Sequence, residues 1–483
     1  MPKVRLTCIK PYLGQTINMR LFNARLTLGS HTMSKTPFKA ELLAPAGTLK
    51  NMEYAFAYGA DAVYAGQPRY SLRVRNNDFQ IDNLEKGIIR AHQLGKKFYV
   101  ASNIAPHNNK IDSYMSDIEP VIGMKPDALI MSDPGLIMMV KDKWPDVPIH
   151  LSVQSNVVNY AAVKFWHRQG VERVILSREL SLDEIEEIRM KCPEMELEVF
   201  VHGALCIAYS GRCLLSGYMN HRDPNQGSCT NACRWKYQAH DAKQTETGNI
   251  IPVSAIEFDP RNPLDTKPVL GVGSPSNDIV LLQEGNREND LKPMFEDEHG
   301  TYIMNSKDLR AIQHVQRLQQ IGIHSLKIEG RTKSHYYAAR TSQAYRQAID
   351  DAAAGKMFDM ELMDTLENMS NRGYTEGFYR RHVHDEYQNY TRGASISTQQ
   401  QFVGEITFTD DAWLTIDVKN RFQVGDELEL MTPSGNFTFT LETILTTNNE
   451  PRKDAPGSGF IVKIPRPEGC IVTEKSLLIR NLK

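Results

Sequence analysis

From residue 39 onward, short apolar and β-branched runs alternate with stretches whose apolar positions recur every three to four residues. The first pattern predicts strands and the second helices. Eight strand segments stand out, at 41–45, 61–65, 97–102, 127–132, 149–153, 173–177, 197–201 and 325–329. Helices are expected between them, among others near 48–59, 82–95 and 307–320. No Gly-x-Gly-x-x-Gly turn follows the first segment, so the repeat predicts an α/β fold of the (β/α)8, TIM-like barrel type rather than an open dinucleotide-binding sheet. The seventh unit is interrupted by a long excursion. Beyond residue 400 the pattern changes to short alternating segments around 412–418, 426–431 and 437–441, broken by turn residues such as Pro433–Gly435. That change predicts a small all-β domain.

The expected partition is therefore a flexible extension over 1–38 and a barrel over 39–354 that carries a loop and insertion at 203–300. A bridging segment over 355–400 and a β-barrel domain over 401–483 complete it. The first forty residues hold no Asp or Glu but carry Lys3, Arg5, Lys10, Arg20, Arg25, Lys35 and Lys39. They resemble a transit peptide or a segment ahead of a later start at Met33.

Composition narrows the picture only a little. The 483-residue chain has a formal charge of −2, so no global basic field marks it as a nucleic-acid binder, although local patches remain open. Its longest apolar runs, such as 135–140, are far too short to span a bilayer, so no membrane role is expected.

The cysteines change the picture more. Cys206, Cys213, Cys229 and Cys233 are separated by six, fifteen and three residues, and only three other cysteines occur in the chain. They sit among Gly, Ser, Asn, Asp and Arg, not on an apolar period, which disfavours simple core packing. Without a secretory signal, disulfides fit less well than metal ligation. Zinc and an iron–sulfur cluster both remain open on these residues alone. The cluster of thiols begins just after the seventh strand, and barrel active sites lie at the carboxyl ends of the strands. Cys192, between a helix and a strand, falls on the opposite face.

The same strand-end rule nominates the remaining site residues. Arg178, Glu179, His202, Lys327 and Glu329 are candidates for catalysis, and Tyr64, Asn103, Gln154 and Arg331 for substrate contact. Arg73 and Arg75, in the loop after the second strand with Arg69 and Tyr70, suit a carboxylate or a phosphate. Arg380 and Arg381, with Arg372, Tyr374, Phe378 and Tyr379, form a second basic and aromatic patch suited to single-stranded RNA. Tyr374 and Phe378 read better as core aromatics.

Glu198, Phe200, Gly203 to Cys206, Gly211, Cys213, Leu215 and Ser216 together resemble the signature of the collagenase-like peptidase family U32. The segments 41–50, 62–66, 225–235, 327–333, 372–378 and 419–429 extend the resemblance across nearly the whole chain. It is closest to bacterial members that hydroxylate tRNA. The resemblance implies a four-iron, four-sulfur cluster as cofactor and prephenate as co-substrate. The implied reaction is oxygen-independent hydroxylation of a wobble uridine to 5-hydroxyuridine. It also implies the tRNA anticodon region and iron–sulfur assembly machinery as partners, and a cytoplasmic location. Related ubiquinone-pathway members draw one ligand from a distant segment, so Cys229 and Cys233 need not both bind. Peptidase activity and a non-catalytic RNA-binding role are the competing readings. No His-Glu-x-x-His or Gly-x-Ser-x-Gly motif supports proteolysis.

Overall fold

A computed structural model describes residues 38–72, 78–205, 209–210, 237–244, 250–252, 280–284, 291–294, 307–369, 371, 373–380 and 399–482. All eight expected strands form. β1 (Glu41–Pro45), β2 (Ala62–Gly66), β3 (Lys97–Ser102), β4 (Ala128–Met131), β5 (Ile149–Leu151), β6 (Arg173–Ile175) and β7 (Glu196–Ala204) pair in sequence order, each parallel to the next. Closure comes from the last barrel strand, Ser325–Ile328, which pairs in parallel with both β1 and β7 through Glu41↔Ser325 and Glu198↔Ser325. Five of the helices start where a side chain satisfies a free backbone donor. Thr48, Asp133, Asn159 and Ser334 accept from the first turns of their helices, and Ser181 with Glu184 forms a capping box.

Within the excursion, β8 (Tyr237–Gln244), β9 (Ile250–Pro252), β10 (Val280–Glu284) and β11 (Leu291–Met294) form an antiparallel sheet in the order β11-β10-β8-β9. The helix expected over 307–320 begins later. β12 (Asp308–Arg310) comes first, antiparallel to the end of β7, followed by a 3-10 turn and the helix Val315–Ile321. The reason is the length of β7, which runs past its barrel neighbours and leaves backbone groups that β12 pairs. The last barrel strand is accordingly β13. In the expected bridge, the helix Glu361–Glu367 is followed by β14 (Tyr374–Thr375), which extends the barrel sheet beside β12.

β7 also carries a bulge. Lys327 pairs with Phe200 but Ile328 pairs with His202, so Val201 is the extra residue. Its carbonyl accepts from Tyr345 Oη at 2.6 Å and from the Ala311 N–H at 2.9 Å. Phe200 thus shares the face of Lys327, whereas His202 turns to the face of Ile328. There its ring lies 5.5–5.9 Å from those of Tyr337, Tyr345 and Tyr374. Burial pushes its imidazole down to about 3.

The second domain is an eight-stranded sheet in the order β19-β18-β24-β15-β16-β23-β20-β21. Its strands are β15 (Gln400–Thr409), β16 (Trp413–Val418), β18 (Glu427–Thr432), β19 (Gly435–Thr440), β20 (Ile444–Thr446), β21 (Pro451–Arg452), β23 (Ile461–Pro465) and β24 (Leu477–Asn481). β17 (Phe422–Gln423) and β22 (Asp454–Ala455) form a separate small ribbon. Alternation lets β18 serve two layers: Leu428 and Leu430 enter the domain's own core, while Met431 joins Tyr54, Tyr58 and Ala339 of the barrel helices. At that junction Arg340 grips Glu429 through two bonds of 2.8 Å, and Tyr58 donates to the Met431 and Lys475 carbonyls. Burial alone would raise the Glu405 carboxyl, but bonds from His335 and Lys50 hold it down at about 2.

Two outcomes follow for stability. Arg340→Ala strands the buried Glu429 carboxylate and should cost about 3–5 kcal/mol in chemical denaturation, whereas an apolar pair at both positions should recover most of that. His202 is neutral when folded, so as pH falls below about 6.5 the unfolded chain takes up a proton that the folded one refuses until about pH 3. Its contribution is full above about pH 6.5 and lost below. Between about pH 7 and about pH 5.5 the protein should lose about 1 kcal/mol more stability than its His202→Phe variant in urea titrations. Equal losses would contradict a neutral buried ring.

Candidate functional site

The barrel interior is polar along one path. At its base Arg173 donates to Glu41 at 2.7 Å, to Glu196 at 2.7 Å and to Glu198 at 3.2 Å. The other Glu198 oxygen accepts from Lys327 Nζ at 2.9 Å. Both Glu198 and Lys327 are buried. Burial pulls the Lys327 ammonium below its usual range, and Glu198 opposes that shift. His150 stands in the same interior with its ring 4.7 Å from that of Tyr99; burial, with Arg173 and Lys327, pushes it well down, so it is neutral.

Above this chain the walls become aromatic. Lys327 Nζ lies 4.3 Å from the Tyr64 ring centre and 5.5 Å from that of Phe200. Arg178 lies over Phe200 at 3.8 Å and Arg331 over Tyr64 at 5.6 Å. Arg178 also reaches Glu329 at 3.5 Å and donates to the Ala204 carbonyl at 2.7 Å. Arg331 donates to Ser71 at 2.7 Å. The pair packs directly on Gly66, where a Cβ would lie 2.4 Å from Ser71 Oγ and 2.5 Å from Arg331 Nη1. Gly203 has to be glycine: φ is +103° and the Glu329 carbonyl passes where a Cβ would be. Tyr337 donates to that same carbonyl at 2.7 Å.

Of the expected site residues, the structure gathers Tyr64, Arg178, Lys327, Glu329 and Arg331 around Phe200. Asn103, Ser152 and Gln154 form a hydrogen-bonded line on the opposite strands, and Glu179 accepts from Ser177. His202 is not part of the mouth, for the bulge aims it into the tyrosine pocket. Arg380 is exposed and paired with Glu376 at 3.1 Å, and Glu376 also bonds His314. Arg69 pairs with Asp117, Phe378 is 40% exposed, and Tyr379 donates to the Phe200 carbonyl. Cys192 is buried at the far face, where its thiol meets the Tyr160 carbonyl. Arg73, Arg75, Arg372, Arg381, Cys206, Cys213, Cys229 and Cys233 lie outside the described residues.

Both flanks of Cys206 are nevertheless tied to the rim. Arg178 holds the Ala204 carbonyl, and Asn156 Nδ2 donates to the Ser210 carbonyl at 3.0 Å. Asn156 adopts φ 50°, a left-handed conformation that asparagine tolerates, and this aims its amide across the loop. Sequence reasoning missed Asn156, Ser71 and Tyr337, whose roles depend on loop conformation and on a helix packed outside the barrel. Among the described residues no group of three or more His, Cys, Asp or Glu could hold a metal ion, and no helix is long and apolar enough to cross a membrane.

Residues 47–389 match the model of peptidase family U32, and residues 398–480 match the model of its C-terminal domain. The chain is 61% identical to tRNA hydroxylation protein P of Escherichia coli over 92% of this chain and 97% of that protein. It is 60% identical to the Haemophilus influenzae protein of the same name over equal shares. A Porphyromonas gingivalis collagenase is 27% identical over 76% of this chain and 79% of its own length. With both of its domains matched, the chain belongs to peptidase family U32.

Proposed function

We propose that this protein hydroxylates tRNA, acting at the barrel mouth on a wobble uridine to give 5-hydroxyuridine without molecular oxygen. The names of the relatives at 60% and 61% identity support the tRNA part of this reading. The observation that carries the site is the convergence of Arg178, Arg331 and Lys327 over Phe200 and Tyr64, with both flanks of Cys206 fastened to the same rim. Flat rings beside guanidinium groups suit a planar base and a carboxylate together.

In this reading prephenate is the carboxylate co-substrate and Arg178 and Arg331 orient it. Lys327, desolvated beneath the aromatic walls, holds a proton at Nζ that Glu198 keeps in place. The four cysteines would hold a four-iron, four-sulfur cluster, which when bound supplies electron transfer beside the mouth. Iron–sulfur assembly machinery and a cytoplasmic setting belong to the same proposal. Proteolysis is the weaker reading: the chain has no His-Glu-x-x-His or Gly-x-Ser-x-Gly motif, and His202, four residues before Cys206, is buried among tyrosines.

Nucleoside mass spectrometry of tRNA from cells with and without the gene, with any redundant pathway removed, should show 5-hydroxyuridine derivatives lost on deletion; unchanged levels would sink the reading. Arg178→Ala should lower product by about tenfold or more through loss of a charge-assisted bond, with tRNA affinity held within about twofold. Anaerobically purified protein should be brown, and Cys206→Ala or Cys213→Ala should remove the colour while Cys192→Ala keeps it. Zinc without labile sulfide would refute the cluster.

A further inference from the structure

We propose that the open outer face of the second domain's sheet, centred on Phe408 and Trp413, is a stacking platform for unpaired bases of the RNA. This is a contact apart from the barrel mouth, and it rests on the tRNA reading above.

The outer face of this sheet is divided in two. Over β18, β24 and the start of β15 it is covered by the barrel, where Met431, Leu477, Ile479 and Phe402 pack with Tyr54 and Tyr58. A bulge at Thr407 ends that arrangement: Ile406 pairs with Ile416, but Phe408 pairs with Thr415. Leu414, Ile416 and Val418 point into the domain core, so Trp413, Thr415 and Asp417 face outward. Trp413 stands two residues from the partner of Phe408, a diagonal within reach of aromatic side chains.

A sheet face turned to water ordinarily carries polar residues. Here Phe408 is 61% exposed and Ile461 51% exposed. An exposed apolar patch of this kind marks a binding surface. Its charges indicate what binds. The cross-strand row runs from Phe408 through Thr415 to Lys463, whose ammonium meets the Asn449 amide oxygen at 3.0 Å, not a carboxylate. Arg466 donates to the carbonyls of Asp410 and Cys470. Two neighbouring carboxylates are already engaged, Asp410 by the N–H groups of Ala412 and Trp413 and Asp417 by Lys419. Two aromatic rings with two cations beside them match the needs of single-stranded RNA, in which bases stack and phosphates pair with Lys or Arg.

The test uses the full-length protein and labelled full-length tRNA in fluorescence anisotropy across a salt series. Phe408→Ala and Trp413→Ala should each weaken binding by about tenfold, since stacking on an aromatic side chain contributes roughly 1–3 kcal/mol per base. Phe408→Tyr should bind normally, and so should Met357→Ala at an exposed position elsewhere. Lys463→Gln should reduce the log–log salt slope by somewhat less than ~1. RNA should also quench Trp413 emission. A folded double variant that binds within about twofold of wild type would overturn the platform alone. If sedimentation shows a dimer lost in the double variant while RNA affinity persists, the face serves a second copy and the proposal falls. Absence of tRNA binding by the wild type would overturn the substrate reading and the platform with it.

Discussion

The arrangement of polar groups inside the barrel depends on one buried carboxylate. Glu198 is fully enclosed and gives one oxygen to Arg173 and the other to Lys327. Arg173 in turn reaches Glu41, so these bonds join β6, β7, β13 and β1, the strands at which the barrel closes. An apolar interior of equal volume would be as stable or more so, because ions removed from water recover their solvation only through good geometry. What the ionic chain adds is placement. It holds an ammonium under Tyr64 and Phe200, where an unpaired lysine would lose its proton or leave.

The bulge at Val201 does the next piece of work. Below it, β7 contributes Glu198 and Phe200 to the interior; above it, the strand turns His202 outward and runs on past the barrel rim. That extension lets β12 pair with it, and Asp308 becomes the neighbour of Ala204. The two ends of the excursion are therefore hydrogen-bonded together. A long insertion whose ends already meet in the sheet places little strain on the barrel, because the closure is made by the scaffold and not by the loop.

This explains which parts of the site were legible in sequence. The eight strands were, since each is a short apolar run between helical patterns, and Tyr64, Arg178, Lys327, Glu329 and Arg331, nominated by the strand-end rule, lie near one another in the structure. His202 was nominated by its place at the end of the seventh strand, but the bulge at Val201 turns it away from the interior, and Val201, being apolar and buried, leaves no mark of a bulge in the sequence. β12 and β14 are too short to show any period. Arg380 was chosen for its charge, yet Glu376, four residues earlier, was equally visible and pairs with it. The contributions of Asn156 and Ser71 come from loop conformation, to which hydrophobic patterning is blind.

One helix connects the separate parts. His335–Ala353 starts at the Ser334 cap, directly after the mouth residues Glu329 and Arg331. Its first turn places Tyr337 on the Glu329 carbonyl, the next places Arg340 on Glu429 of the second domain, and Tyr345 then holds the bulged Val201 carbonyl. These side chains diverge around the helix, so each grips a different element, and none can shift without moving the backbone that carries the others. The orientation of the second domain is thereby set by the same helix that shapes the mouth. An RNA held on the second domain would meet a mouth shaped by the same helix that grips that domain.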